Sequence, residues 1–295
     1  MLEHACTPPK GWGRGRRMAM VAGIAMTLAS FTPAWAQDAT EAAAAADQNR
    51  QEAIEIVKDM ARYVGGETDI TLSFDSELEV VTPQMEKLQF NSSGKAQIHR
   101  PDAFRLSRTG GYADVELLFD GKSVTVFDRN TNAYATEPVK GSIDEAIDKL
   151  RGDLMLDLPA ADLMIADSFN ALMADVVEAK HIGRGVINGV ACEHVAFRNH
   201  DTDWQLWVEV GERPVPCKMV ITSKTVGAAP QYTIRITDWH SGTQFPAGTF
   251  TFNPPADARK VAFQQLAGID EIPPSGAMPN DMTSAKGAAT SGESK

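Results

Sequence analysis

Between residues 69 and 263 apolar and polar side chains alternate in short runs that end at turns, the pattern of strands with one buried face. In "DITLSFDSELEVV" the even positions Ile70, Leu72, Phe74, Leu78 and Val80 are apolar, while Thr71, Ser73, Asp75, Glu77 and Glu79 are polar. "KLQFNSSGKAQIHR" repeats the alternation through Leu88, Phe90, Ala96 and Ile98. "YADVELLFDGKSVTVFDRNTNAYATEP" reads as three strands, divided by the hairpin signal Asp120-Gly121 and the turn-rich Arg129-Asn130-Thr131-Asn132. Further strands are expected near 181–187, 190–198, 204–210, 216–225, 231–240 and 248–252. In the run 203–210, Trp204, Leu206, Val208 and Val210 share one face, and Gln205, Trp207 and Glu209 share the other. The two tryptophans therefore point opposite ways and form no common aromatic platform.

Helical periodicity appears in two places. "NRQEAIEIVKDMARYVGG" (49–66) carries Ile54, Val57, Ala61 and Val64 on one stripe, widened by Ile56 and Met60. Asn49 with Glu52 predicts an N-terminal capping box, and Gly65-Gly66 predicts the stop. Ser142 with Glu145 predicts a second box, followed by Ile143, Ile147 and Leu150. The next stretch, 153–179, holds Met155, Leu156, Leu158, Leu163, Met164, Ile165, Phe169, Leu172 and Met173, and is expected as two helices broken at Pro159.

About eleven consecutive antiparallel strands exceed what a flat sheet accommodates, because accumulated twist curls it. The expected fold is mainly β (α+β): a single large curved antiparallel sheet, an open half-barrel, with helices plugging its concave face. One domain is expected over 49–263, after a lead-in at 37–48 and before a Pro-, Gly-, Ser- and Ala-rich tail at 264–295 that is expected to be disordered.

The N-terminus changes the picture of where this fold works. Lys10, Arg14, Arg16 and Arg17 precede the apolar "MAMVAGIAMTLASF", and Ala34-Trp35-Ala36 follows. This is the layout of a secretory signal peptide at 1–36, with cleavage expected after Ala36. The apolar run is too short to span a bilayer, which takes roughly twenty residues. Arg16-Arg17 fits the twin-arginine signal poorly, and with no cysteine next to the cleavage point no lipid anchor is expected. Four basic residues and one acidic residue leave with the leader, so the formal charge falls from −11 to −14. That balance disfavours nucleic acid and anionic membrane surfaces. A periplasmic protein with no stable membrane insertion is expected.

Chemistry is sparse. His99, His181, His194, His200 and His240 are scattered, with no metal-ligand spacing, although His194 and His200 flank one strand and its turn. Ser168 and Ser241 lie in no nucleophile elbow, and Asp201 with Asp203 reads as a turn cap. "GRGVING" (183–189) reads as strand, Asn188-Gly189 turn and strand rather than a phosphate loop. No catalytic, cofactor or metal site is expected, and the chain reads as a non-enzyme.

What remains is an apolar concavity. Its candidate lining is Leu72, Phe74, Leu88 and Phe90 from the first strands, Met155, Leu163, Met164 and Met173 from the helical insertion, and Trp204 and Leu206. Flexible methionines suit an adaptable apolar pocket, and they suit a plain core equally well. After the leader only Cys192 and Cys217 remain, with the tryptophan strand between them. Alternate strands stand almost 10 Å apart and a disulfide needs Cα atoms within about 7 Å, so a bond requires a bulge or another strand order.

"LPAADLMIAD" (158–167), "GVACEHVAF" (189–197), "DWQLWVEVGERPVPCKMVIT" (203–222) and "FTFNPPADARKVAF" (250–263) resemble bacterial predicted periplasmic proteins that share domain of unknown function two-thousand-and-ninety-two. The resemblance covers nearly the whole domain and departs from the family pattern at Cys217, where a polar or basic residue is expected. It implies no known activity. It extends to the fold of the lipoprotein carrier LolA, the mycobacterial LppX group and the envelope-stress regulator RseB, which implies a curved sheet with a helical plug and the handling of acyl chains. No site residue carries over. The expected function is non-enzymatic binding of an apolar ligand, a lipid or lipoprotein acyl chain, between sheet and helical lid. The alternative is an envelope protein-interaction or stress-sensing module with a filled core, whose partner is an envelope protein.

Overall fold

The computed structural model describes residues 34–156, 158–266, 269 and 272, with residues 34–40 as backbone alone. The expected signal peptide lies, up to residue 33, outside the described residues. The chain divides into two compact units, Met1–Ala42 and Ala43–Lys295. Helix α1 runs Ala34–Gly66. It begins well before Asn49, which corrects the expected capping box: the alanine run Ala42–Ala46 is strongly helix-forming and carries the helix through without a stop. Asn49 is freed for another partner, described below.

The strands are β1 Asp69–Val81, β2 Lys87–His99, β3 Ala103–Gly110, β4 Asp114–Phe119, β5 Ser123–Asp128, β6 Ala133–Pro138, β7 Glu178–Ile187, β8 Val190–Arg198, β9 Thr202–Glu209, β10 Pro216–Ser223, β11 Gln231–Ser241 and β12 Arg259–Lys260. They form one open sheet in the order β12-β6-β5-β4-β3-β2-β1-β11-β10-β9-β8-β7. Two antiparallel meanders meet where β1 pairs with β11, with Leu72 opposite Trp239 and Leu78 opposite Tyr232. Among these strands only β12 runs parallel to its neighbour, β6. The strand expected at 248–252 does not form. Gly248 takes φ 87° and the amides of Thr249 and Thr251 close turns onto Pro246 and Gly248, so the backbone is bent where a ladder would need it straight. This segment instead crosses the polar, convex face: Phe250 stacks on His99 at 6.1 Å, and Phe252 meets Tyr134 at 5.0 Å and Phe127 at 5.6 Å. Beneath it Glu116 is buried and held by Arg105 and, at 3.0 Å, by Arg129.

The other face carries the core. Ile70, Leu72 and Phe74 of β1, Ala96 and Ile98 of β2, and Leu117 and Phe119 of β4 share one apolar cluster with Ala53, Val57, Met60 and Val64 of α1. Helix α2, Ile143–Gly152, adds Ile143, Ala146, Ile147 and Leu150. Its expected capping box is formed: the Glu145 amide donates to Ser142 Oγ at 3.4 Å and the Ser142 amide donates back to the Glu145 carboxylate. The two helices expected over 153–179 do not form as such. A 3-10 turn at Ala161–Leu163 and the short helix α3, Ser168–Met173, replace them. Met155 (φ 54°) and Ala160 (φ 63°) are left-handed, which no right-handed helix passes through.

Candidate functional site: the concave face

Strand alternation puts Leu72, Phe74, Leu88, Phe90, Trp204 and Leu206 of the ten candidate lining residues on this face, and burial separates the ten. Leu72, Phe74, Leu163, Trp204 and Leu206 are buried in the one core cluster, with Met164 and Met173 half-buried against it. Leu88 and Phe90 are half-buried at the other end of β2, where Phe90 meets Tyr112 edge-on at 5.8 Å. Met155 is a correction: it is 62% exposed, because the left-handed turn that ends the helical region swings it outward. The Phe74 ring lies over Gly94 of β2, so close that a Cβ there would stand 2.3 Å from Cζ. That glycine marks the boundary between the two ends of the face.

The tryptophans divide as the alternation predicts. Trp204 is buried on the concave side, stacked on Phe197 at 4.0 Å and 13°, and its Nε1 donates to Asn199 at 3.2 Å. Trp207 lies on the convex side between His194, at 4.1 Å, and the Lys218 ammonium, at 5.0 Å. Burial pushes His194 below its ordinary pKa, which favours the neutral ring in this stack.

Beyond Gly94 the concave face changes character. Ser76 of β1 stands opposite Ser92 of β2, their hydroxyls 2.7 Å apart. Arg108 of β3, opposite Gly94, falls on the same face by alternation with Phe104 and Leu106. Its Nη2 donates to the carbonyl oxygen of Ile269 at 2.5 Å. Tyr232 of β11 completes the corner: burial raises its phenol, opposed by a hydrogen bond with Ser76 and by the charge of Arg108. Phe263 and Leu266 are buried in the core, and Ile269 packs against it. The packed chain therefore continues past residue 263 into the expected tail. Sequence reading passed over this corner, although a signal was present. The apolar even positions of β1 skip Ser76, and those of β2 skip Ser92 and Gly94. Two gaps in facing strands mark one spot, but only the strand register makes them face.

Helix α1 is latched to the sheet at its other flank. Asn49 accepts from the His181 amide at 3.0 Å and donates to the His181 carbonyl at 2.7 Å. The His181 ring stands between Glu193, at 2.9 Å, and Glu52, at 3.3 Å. Burial works to raise the Glu193 carboxyl, but hydrogen bonds from Arg184 and His181 outweigh it and hold the group below the ordinary range. Cys192 and Cys217 are free thiols, each raised by burial; Cys192 donates to the Val190 carbonyl at 3.5 Å and Cys217 to the Val215 carbonyl at 3.8 Å. The bulge between Pro216 and Lys218 shifts the register on β10 at Cys217, next to where β9 ends at Glu209. Among the described residues, no group of three or more His, Cys, Asp or Glu is placed to hold a metal ion, and no helix is long and apolar enough to cross a membrane.

This architecture, an open one-sided sheet under a partial helical cover, defines a class of β-sheet protein built around its concave face. The family model described as predicted periplasmic protein (DUF2092) matches residues 53–264, and the chain belongs to that family. No curated protein matches it. Among solved structures, an uncharacterized conserved protein from Thermus thermophilus is similar at 10% identity and a TM-score of 0.41, over 70% of this chain and 97% of that one. A chain of the Pseudomonas aeruginosa MucA/MucB complex is similar at 12% identity and a TM-score of 0.40, over 68% of this chain and 61% of that one. The Mycobacterium tuberculosis lipoprotein LppX is similar at 12% identity and a TM-score of 0.38, over 66% of this chain and 99% of that one.

Proposed function

We propose that the chain is a non-enzymatic periplasmic protein that binds an apolar ligand, a lipid or lipoprotein acyl chain, on its concave face. The observation that carries this reading is the unequal cover of one continuous apolar face. Leu72, Phe74 and Ile98 are sealed, whereas Leu78, Val80, Leu88 and Phe90, on the same two strands, stay half-exposed. Apolar side chains left partly wet on a curved face are surface that a greasy ligand covers with gain. The helical insertion packs half-buried Met164 and Met173 against the core cluster and carries left-handed turns rather than a long rigid helix. Such a cover can shift without breaking a helix. In this reading the leader is cleaved after Ala36, and the mature chain starts at Gln37.

The test is native mass spectrometry of protein purified from its own periplasm, followed by titration of the delipidated chain with a fluorescent fatty acid. One bound lipid per chain and saturable stoichiometric binding are expected. A lipid-free protein that binds no fatty acid sinks the reading.

A second reading has its own observation. Among the described residues, edge strand β7 has no neighbouring strand on its outer side, where Asn49 holds the His181 backbone, and it exposes Ile182 and Val186. An envelope protein adding a strand there would make the chain an interaction module with a filled core. Co-purification of one such protein with no extractable lipid would favour it.

A further inference from the structure

We propose that a second site lies on the opposite, convex face: a cleft between the first strands of the sheet and the segment 242–252, shaped and charged to hold a small alkylated ammonium ion. The inference is independent of the apolar-ligand reading, which concerns the concave face.

Three strands supply the floor. Asp69 of β1, His99 of β2 and Ala103 of β3 stand side by side in register. Alternation puts them on the face opposite Ile70, Ile98 and Phe104, which belong to the core. The roof is the segment that follows β11. The Gly242 amide donates to the Asp69 carbonyl at 2.8 Å, and Arg105 Nη1 donates to the Thr249 carbonyl at 3.1 Å. Phe252 fixes the far end against Tyr134 and Phe127. Between these anchors the chain stands off from the strands and leaves a cavity of about 650 Å³. Small-molecule sites typically measure roughly 300–1,000 Å³.

Its walls are aromatic and its charges are acidic. Phe245 and Phe250 are half-buried and meet edge-on, with ring centres 5.0 Å apart and planes at 78°. His99 stacks on Phe250 and is held by the Asp69 carboxylate at 2.6 Å. Asp120 closes the cleft from the turn between β4 and β5. It spends Oδ1 on the amides of Lys122 and Ser123 and on the Ser123 hydroxyl, which leaves Oδ2 without a partner among the described residues. The lining contains these two carboxylates and no lysine or arginine. Arg105 reaches the roof at Thr249 but is paired with the buried Glu116, and Lys122 is exposed outside the lining.

That combination selects among ligand classes. Aromatic rings carry negative faces, and rings set at an angle beside carboxylates complement a cation with an apolar outer shell. An anion would meet both carboxylates, and a neutral alkyl ligand would leave them unused. A bare metal ion needs several converging ligand atoms, and among the described residues no group of three or more His, Cys, Asp or Glu is placed to hold one. An alkylated ammonium comes either as a free solute or as a lipid headgroup. A headgroup brings a phosphate that Asp69 and Asp120 repel, so the free cation fits better.

The test is calorimetric titration of the mature chain at low salt with choline, with its neutral isostere 3,3-dimethylbutan-1-ol, and with phosphocholine. One choline per chain is expected, with the alcohol weaker by about tenfold, the effect of removing the charge from a cation–π site. Asp120→Asn keeps the turn's acceptor oxygen and is expected to weaken choline about threefold while leaving the alcohol unchanged. Phe250→Leu is expected to weaken choline more than the alcohol. Phosphocholine is expected to bind more weakly than choline; equal binding would keep the ammonium site and make a lipid headgroup its source. No choline binding, choline and alcohol binding alike, or both variants binding choline as the parent does would each overturn the site. Should Phe250→Leu not fold, Asp120→Asn and the salt dependence of choline binding decide: affinity indifferent to both overturns it. Fatty-acid titration reads the concave face separately, so either proposal can fail alone.

Discussion

The two ends of the concave face share strands, alternation and register, yet they are different environments. On β1 and β2, Ile70, Leu72, Phe74, Ala96 and Ile98 are buried in one cluster with α1 and α2. Past Gly94 the same strands carry Ser76 and Ser92 and then the half-exposed Leu78, Val80, Leu88 and Phe90. Strand alternation only decides which side of the sheet a residue faces; whether that side is dry depends on what crosses it. One end is a core, and the other is a surface that has been made apolar without being sealed.

Two substitutions on one strand and one face measure that difference directly. Ile98→Ala opens a cavity in the sealed end and is expected to cost about 2–5 kcal/mol in a urea or thermal melt. Leu88→Ala, at the open end, is expected to cost less than about 1 kcal/mol. Equal losses would erase the distinction.

The boundary itself is next. Gly94→Ala sets a methyl 2.3 Å from Phe74 Cζ and 2.5 Å from the Ser107 carbonyl oxygen. The ring or the strand must move, at an expected cost of about 1–3 kcal/mol. Near-UV circular dichroism and melting report it, and a neutral outcome would mean that Phe74 is not held against this glycine.

A smaller effect concerns the flank of the cover. Asn49→Ala removes two hydrogen bonds between α1 and β7, each contributing about 1 kcal/mol. Amide exchange at His181 should quicken, while exchange in β4 and β5 should not. Uniform acceleration would show that the latch is not local.

The smallest expected effect is on pH dependence. Glu193 is held below its ordinary pKa in the folded chain, so the stability it contributes is present above the unfolded value and is lost as pH falls through the folded one. The groups facing it are His181, Arg184 and, across the ring, Glu52. Glu193→Gln should flatten the acid limb of a stability–pH curve below the ordinary glutamate value of 4.5. An unchanged limb would assign that sensitivity to other carboxylates.

Much of this molecule was legible along the chain, and the misses have physical causes. Alternation found the antiparallel strands, apart from β3 at Ala103–Gly110, because each needs only its own residues to declare a wet and a dry side. The Ser142–Glu145 box was legible for the same reason, since both partners lie within one turn. Asn49 looked like a cap because capping is also local, but a run of alanines upstream and a strand far downstream outweighed it. The strand expected at 248–252 failed because its backbone turns at Gly248 and its half-buried aromatic residues lie on the convex face of other strands rather than in a ladder. Met155 shared the composition of its half-buried neighbours Leu154 and Leu156, yet a left-handed backbone turned it to solvent.

Local pattern settled which residues face inward, where most turns fall and how Trp204 and Trp207 part company. The three-dimensional structure alone decided which inward residues are sealed, that Cys192 meets Cys217 around the end of β9, and that Arg108, Tyr232, Ser76 and Ser92 share a corner with Ile269. The reason is separation: those groups come from β1, β2, β3, β11 and the tail, and only strand register and a bulge bring them together. Periodicity carries no information about register between distant strands, because that is set by the packing of the whole sheet.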